Sequence, residues 1–259
     1  MHGLGNRFAL IDARRAPWRP TGEAIRTLAE ATNADQVLSI EPSEAADIFL
    51  RIWNADGSEV AACGNGTRCA AWHVMSETAV DTLRIETAAG RLKATRAGDL
   101  RITVDMGKPK LEWTEIPLAE RMDTRHLDIK LGPIDAPVLQ FPSAVNMGNP
   151  HCIFFVEDAE AAPVAEVGSL IEHHFLFPEA TNVEFAEIRD RHTIRLRVWE
   201  RGVGITQACG TGACATVVAA ARLRRTERKV TVILDGGPLD IEWSAETDRV
   251  LMTGPVAYL

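Results

Sequence analysis

The sequence predicts an α+β protein made of two related halves, each a mainly antiparallel sheet wrapped around a central helix. Three observations carry this. Short runs rich in Val, Ile and Leu, bounded by Gly, Asn or Asp, recur along the chain. Two of its segments align without a gap at an offset of 146 residues. Helical patterns are few, and two of them begin just after the same point of the aligned segments.

The aligned segments are Arg51-Ile52-Trp53-Asn54 running to Ala62-Cys63-Gly64-Asn65-Gly66, and Arg197-Val198-Trp199-Glu200 running to Ala208-Cys209-Gly210-Thr211-Gly212. Val104, Met106 and Pro109 recur as Val250, Met252 and Pro255, while Gly5-Asn6 recurs as Gly148-Asn149. The period is far longer than the roughly 20–50 residues of a solenoid, so it marks a duplicated domain. The expected division is 1–113, carrying Cys63, and 114–259, carrying Cys209, with the last strand left open to pack on the N-terminal half. The stretch from 114 to about 141 lacks a counterpart and holds Pro117, Gly132-Pro133 and Pro137, which reads as the crossover between halves.

In chain order, strands are expected at Arg7 to Asp12, Ile48 to Trp53, Leu83 to Thr87 and Leu100 to Asp105 in the first half. The second half offers Ile153 to Val156, Ile194 to Trp199, Val230 to Leu234 and Leu239 to Trp243. Arg195, Arg197 and Glu242 alternate with apolar neighbours, as in strands with one solvated face. Helices are expected at Glu23 to Thr32, Gly66 to Ala79, Pro163 to His174 and Gly212 to Arg224. The last is Ala-rich and almost wholly apolar, the pattern of a buried central helix.

The chain has 259 residues, 46% of them hydrophobic and 25% charged, with a net charge of −8. That length suffices for two domains of ordinary size. The negative charge argues against nucleic acid or an anionic membrane as the main partner. No apolar run reaches membrane-spanning length and the first residues lack a signal-peptide layout, so a cytoplasmic setting is expected. Five cysteines is an odd number, and reduced thiols are the expectation.

The chemistry concentrates at the two Cys-Gly-x-Gly turns. Glycine lets a ligand approach the backbone closely. The first amides of a helix lack intrahelical partners and can hold a carboxylate, and Gly64-Asn65 and Gly210-Thr211 supply them. A helix N-terminus also favours a thiolate over a thiol. One such turn alone is an ordinary structural feature, since cysteine is often a small buried hydrophobe. Two copies in one frame point to function. Cys69 and Cys214 fall one position apart in the repeat and, with Cys152, are read as structural. Cys63…Cys69 and Cys209…Cys214 lack the paired spacing of a zinc site, and no Gly-Lys-Ser/Thr follows either turn, so neither a metal nor a phosphate loop is expected. Asn6 and Asn149, and Asn54 and Glu200, occupy repeat-related places. His151 and Glu200 could tune the thiols, and Arg201 could grip a second carboxylate, against the plainer readings of a strand-end histidine, a solvated acid and a surface arginine.

The chain resembles the diaminopimelate epimerase family. The segments that carry the resemblance are Met1-His2-Gly3-Leu4-Gly5-Asn6, Ala34-Asp35-Gln36, Asn54-Ala55-Asp56-Gly57-Ser58-Glu59 with Ala62-Cys63-Gly64-Asn65-Gly66, Met147-Gly148-Asn149-Pro150-His151, Thr181-Asn182-Val183, and Glu200-Arg201-Gly202 with Thr206-Gln207-Ala208-Cys209-Gly210-Thr211-Gly212. Arg7 and Thr32-Asn33 depart from the family's usual pattern beside Asn6 and Gln36. The resemblance implies two pseudo-twofold-related domains with the active site in the cleft between them. It implies cofactor-independent interconversion of LL- and meso-diaminopimelate, on the route to lysine and peptidoglycan precursors. Cys63 and Cys209 would be the acid–base pair, modulated by His151 and Glu200. Asn6, Gln36, Asn54, Gly64, Asn65, Asn149, Asn182, Glu200, Arg201, Gly210 and Thr211 would contact the small-molecule substrate. A homodimer is the implied assembly. The competing readings are a racemase of another amino acid, such as histidine, on the same fold, a non-catalytic amino-acid-binding protein, and a redox dithiol protein.

Overall fold

The structure is a computed structural model that describes residues 1–61, 63–133, 135 and 138–258; Ala62 of the repeat and Pro137 of the crossover lie outside the described residues. The chain divides into two compact units, Met1–Met106 with Thr253–Leu259, and Gly107–Met252.

The first unit comprises β1 (His2–Gly3), β2 (Asn6–Asp12), α1 (Gly22–Thr32), β3 (Gln36–Glu41), β4 (Ile48–Asn54), β5 (Glu59–Val60), α2 (Gly64–Thr78), β6 (Thr82–Thr87), β7 (Gly90–Gly98) and β8 (Arg101–Asp105). Its strands lie in the order β1-β2-β3-β4-β6-β7-β8, with β5 on β4. Only β2–β3 and β4–β6 are parallel. A parallel step cannot be closed by a tight turn and needs a crossover, and α1 and α2 lie in these two connections.

The second unit comprises β9 (Lys130–Leu131), β10 (Leu139–Gln140), β11 (Ser143–Asn146), β12 (Pro150–Val156), α3 (Val164–Glu172), β13 (Asn182–Asp190), β14 (Thr193–Glu200), β15 (Gly204–Thr206), α4 (Gly210–Arg222), β16 (Lys229–Leu234), β17 (Gly237–Trp243) and the start of β18 (Val250–Pro255). Its main sheet runs β11-β12-β13-β14-β16-β17-β18, with β15 on β14. The parallel pairs are again the second and fourth, β12–β13 and β14–β16. The internal repeat of the sequence is therefore a repeat of topology. It extends to register: Trp53 faces Glu59 as Trp199 faces Ile205, and Phe8 faces Gln36 as His151 faces Asn182.

The two central helices are buried for different reasons. In α4 every residue from Gly212 to Ala220 is buried, and the small side chains of Ala213, Cys214, Ala215, Ala219 and Ala220 let the sheet approach closely. In α2 the buried run includes polar groups; the fully buried Arg68 donates to Asn65 Oδ1 at 3.0 Å. Beside α1, Ile25, Ala29, Val37 and Trp53 form a small cluster, closed by Trp18 edge-on to Trp53. In the second unit Phe154 and Phe185 stack at 6.0 Å within a larger core.

Several sequence expectations change in detail. Both central helices start two residues earlier than predicted, directly after Cys63 and Cys209. The first of them ends at Thr78, because Ala79 adopts a left-handed C-cap. Val164–Glu172 is shorter at both ends than the expected helix. Leu100 has a φ of 50° and belongs to the turn before β8, not to the strand. Strands β3, β7 and β13 were not expected. The crossover segment is packed rather than spanning, with Ile116, Leu118, Leu127, Ile129 and Leu139 in the core of the second unit.

Gly168 marks the tightest packing between α3 and β14. A Cβ there would lie 2.5 Å from Trp199 Cγ. The ring cannot swing away freely, because its Nε1 donates to Glu172 Oε2 at 2.7 Å. Alanine would gain about 1 kcal/mol in helix propensity, but overpacking costs about 1–3 kcal/mol. Gly168→Ala is therefore expected to lower the urea midpoint at unchanged slope; an equal or higher midpoint would count against this packing.

Candidate active site

In the first unit Cys63 is the N-cap of α2, with φ −149° and ψ 113°. Its Sγ accepts from the Gly66 amide at 3.4 Å and lies 3.9 Å from Asn6 Oδ1. Its carbonyl accepts both the amide and the hydroxyl of Thr67, so the cap is held on two sides. Gly66 is required here. A Cβ would meet Leu38 Cδ2 at 3.1 Å and the Phe8 ring at 3.4 Å, where the helix start presses on β2 and β3. Gln36 and Asn54 are register partners, and Gln36 Nε2 donates to Asn54 Oδ1 at 3.0 Å. Asn54 Nδ2 donates to Ser58 Oγ, and Asn6 Nδ2 to Asp35 Oδ2. Two separate polar groups result, Gln36–Asn54–Ser58 and Asn6–Asp35.

In the second unit Cys209 is the N-cap of α4, with φ −113° and ψ 109°. Its Sγ again accepts from the amide of the third residue on, Gly212, at 3.4 Å, and lies 3.5 Å from Thr211 Oγ1. Unlike Cys63, which is half-buried, Cys209 is 5% exposed. Its surroundings are ionisable. Burial pushes the Cys209 thiol well up, and the charges of Glu200 and Glu184 add to this. Burial also raises the Glu200 carboxyl, opposed by the hydrogen bond from Thr206 Oγ1, at 2.5 Å, and by one from the Cys209 thiol.

His151, on β12, is fully buried between Glu184 Oε1, 2.6 Å from Nδ1, and Asn149 Oδ1, 3.0 Å from Nε2. Asn182 spends its amide on the backbone, donating to the Pro150 carbonyl and accepting from the Arg201 amide. Arg201 is exposed and donates from Nη1 to the Glu179 carbonyl. Strand pairing and hydrogen bonds thus bring Asn149, His151, Asn182 and Arg201 together in this unit.

Glu184 was missed by the sequence reading. Its signal was an acid set among Val183, Phe185 and Ala186, two residues on from Asn182 and so on the same strand face. Asp35 and Thr206, which anchor Asn6 and Glu200, were also missed; both are ordinary surface residue types. Among the described residues, Asp12, His73 and Glu77 lie close enough to share a metal ion, but Arg14 donates to both carboxylates. Among the described residues no helix is long and apolar enough to cross a membrane.

The family model of diaminopimelate epimerase matches residues 1–112 and 143–259. The chain is 54% identical to the diaminopimelate epimerase of Phenylobacterium zucineum (strain HLK1), over 99% of this chain and 93% of that protein. It is 50% identical to that of Rhodopseudomonas palustris (strain BisB18), over 100% and 91%. Among solved structures, the fold is similar to a Bacillus anthracis phenazine biosynthesis protein of the PhzF family, with a TM-score of 0.68 at 17% identity over 100% of this chain and 93% of that one. It is likewise similar to a hydroxyproline epimerase from Agrobacterium vitis, with a TM-score of 0.64 at 16% identity over 99% and 87%. Those two likenesses speak to the fold alone, whereas the family match and the full-length identities settle membership: the chain belongs to the diaminopimelate epimerase family.

Proposed function

We propose that this protein interconverts LL- and meso-2,6-diaminopimelate without a cofactor, moving a proton at one α-carbon between the thiols of Cys63 and Cys209. The observation that carries the reading is the duplicated thiol cap. Each sulfur ends an extended segment and accepts a helix amide at 3.4 Å, in two units of the same topology.

Inversion at carbon needs a base on one face and an acid on the other. Cys209, buried beside two acids, rests as the thiol. Cys63, half-buried at the head of α2, is assigned the base in the forward direction, as the thiolate that a helix N-terminus favours. It takes the α-proton, so a C–H bond breaks and an S–H bond forms. Cys209 then gives its proton to the opposite face, and the roles reverse for the return reaction. The α-proton is far less acidic than a thiol, so the developing carbanion must be stabilised. The Gly64, Asn65, Gly210 and Thr211 amides have no partner within their helices and are assigned to the α-carboxylate. Asn6, Gln36, Asn54 and Asn149 supply neutral hydrogen-bonding groups. Arg201 exchanges its bond to a carbonyl for one to the distal carboxylate, a charge-assisted and stronger contact. Asn182 serves indirectly, holding the Arg201 backbone. The homodimer implied by the family resemblance and the cytoplasmic setting expected from the sequence belong to the same proposal.

Either Cys63→Ala or Cys209→Ala is expected to cut epimerisation by roughly 10²–10⁴-fold, the usual worth of one acid or base. Chiral analysis of product from LL-diaminopimelate, with solvent deuterium at the α-carbon, reads this, and full turnover in either variant would sink the two-thiol scheme. Glu200 gives a separate test. Burial holds its carboxyl above the ordinary 4.5, so the folded state binds that proton more tightly than the unfolded chain. Its contribution to stability is complete below that ordinary value and is lost as pH rises through the folded-state value. Glu200→Gln is expected to flatten the decline of unfolding free energy with rising pH above about 4.5. Urea melts across a pH series measure this, and a decline as steep as in the parent protein would contradict it.

A further inference from the structure

Glu184 passes no proton to or from the substrate in the scheme above, yet it is fully buried and packs against β12 and α4 of the second unit. The parallel register of β12 and β13 sets Glu184 opposite Ile153 and Asn182 opposite His151. From there Glu184 Oε1 reaches His151 Nδ1 at 2.6 Å, while His151 Nε2 lies 3.0 Å from Asn149 Oδ1. Asn149 Oδ1 accepts only from an N–H, so in this arrangement Nε2 carries a hydrogen that orients the Asn149 amide, and a second proton is shared in the 2.6 Å contact between Nδ1 and Oε1.

The same carboxyl lies against the start of α4. A Cβ on Gly212 would come within 2.7 Å of Glu184 Oε1 and 3.3 Å of Cys209 Sγ, so the acid and the thiol border one point. Glu184 Oε2 is buried without a hydrogen-bond partner. An apolar side chain at this position would suit its neighbours Val183, Phe185 and Ala186 and would bring no desolvation cost. The groups that face Glu184 are His151 and Cys152 from β12, Glu200 from β14 and Cys209 from α4.

We propose that Glu184 is a positioning residue of this site, orienting Asn149 through His151 and setting the charge against which Cys209 ionises. It rests on the reading of Cys209 as an acid–base group. Burial raises the Glu184 carboxyl and the facing His151 opposes this; as the carboxylate that His151 stabilises beside the first turn of α4, it opposes a second negative charge on Cys209, keeping that sulfur the proton donor at rest.

The test is Glu184→Gln, read in two ways. The rate of Cys209 alkylation by iodoacetamide, followed by peptide mass spectrometry across pH, is expected to shift to lower pH. The remaining Glu200 keeps the midpoint above that of an ordinary thiol. Epimerisation kcat/KM is expected to fall by roughly tenfold, the scale of lost orientation by a supporting group. A purely structural role would lower the melting temperature and move neither; either quantity unmoved overturns the proposal. Should this variant fail to fold, Glu184→Asp replaces it. The shorter acid keeps the charge but withdraws from His151, so kcat/KM falls while the alkylation profile stays in place, and a profile shifted to lower pH overturns the proposal. Failure of the underlying reading is recognised separately, by inversion of LL-diaminopimelate continuing at the parent rate in Cys209→Ala while Glu184 is intact.

Discussion

A backbone amide donating to sulfur at the first turn of a helix is the contact on which each half of this protein's site depends. It pins the cysteine in extended conformation and aims the sulfur at the positive end of the helix. Glycine at the donor leaves room for the packing around it, which differs between the units. In the first, Gly66 lies against Leu38 and Phe8. In the second, Gly212 faces the carboxyl of Glu184. A side chain at either position would displace these neighbours.

The strands enforce what the cap begins. Each cysteine follows a hairpin, β4–β5 or β14–β15, and precedes the helix that crosses to the next parallel strand. The crossover must lie on one face of the sheet, so the helix N-terminus returns to the end of the strand that bears Asn54 or Glu200. The common register then brings the parallel strand pair to the same place: Phe8 with Gln36 in one unit, His151 with Asn182 in the other. Duplication preserved this frame and let its contents diverge. Beside Cys63 lies the side-chain amide of Asn6. Around Cys209 lie the buried Glu184 and His151 and the half-buried Glu200. Burial and the two acids hold the proton on Cys209.

The duplicated turns and the presence of a helix after each were legible in the sequence because glycine at fixed spacing from cysteine has a local meaning, whereas the helix ends shifted by one or two residues. The strands around Trp53 and Trp199 were legible because their apolar residues are β-branched and bounded by turn residues. Strand β13 was not: Glu184, Glu187 and Arg189 interrupt its pattern, and only its place between β12 and β14 makes it a strand. Strand β3 is buried at Ser39 and Glu41 as well as at its apolar positions, so no alternation announces it. Asn182 was named through the family resemblance, but its engagement with the Pro150 carbonyl and the Arg201 amide was not legible, because both partners are remote in sequence.

What the sequence determined by itself is the chemistry available: two thiols, each followed by glycines and free helix amides, within a repeat too regular to be incidental. Those are properties of short contiguous segments, governed by backbone conformation and helix geometry. The tertiary structure alone decided what surrounds each thiol. Glu184 lies 25 residues from Cys209 in the chain and His151 lies 58. Their influence on the sulfur comes from burial and distance in a medium that screens charge poorly, and those arise only when the strands pair and the helix packs down on them.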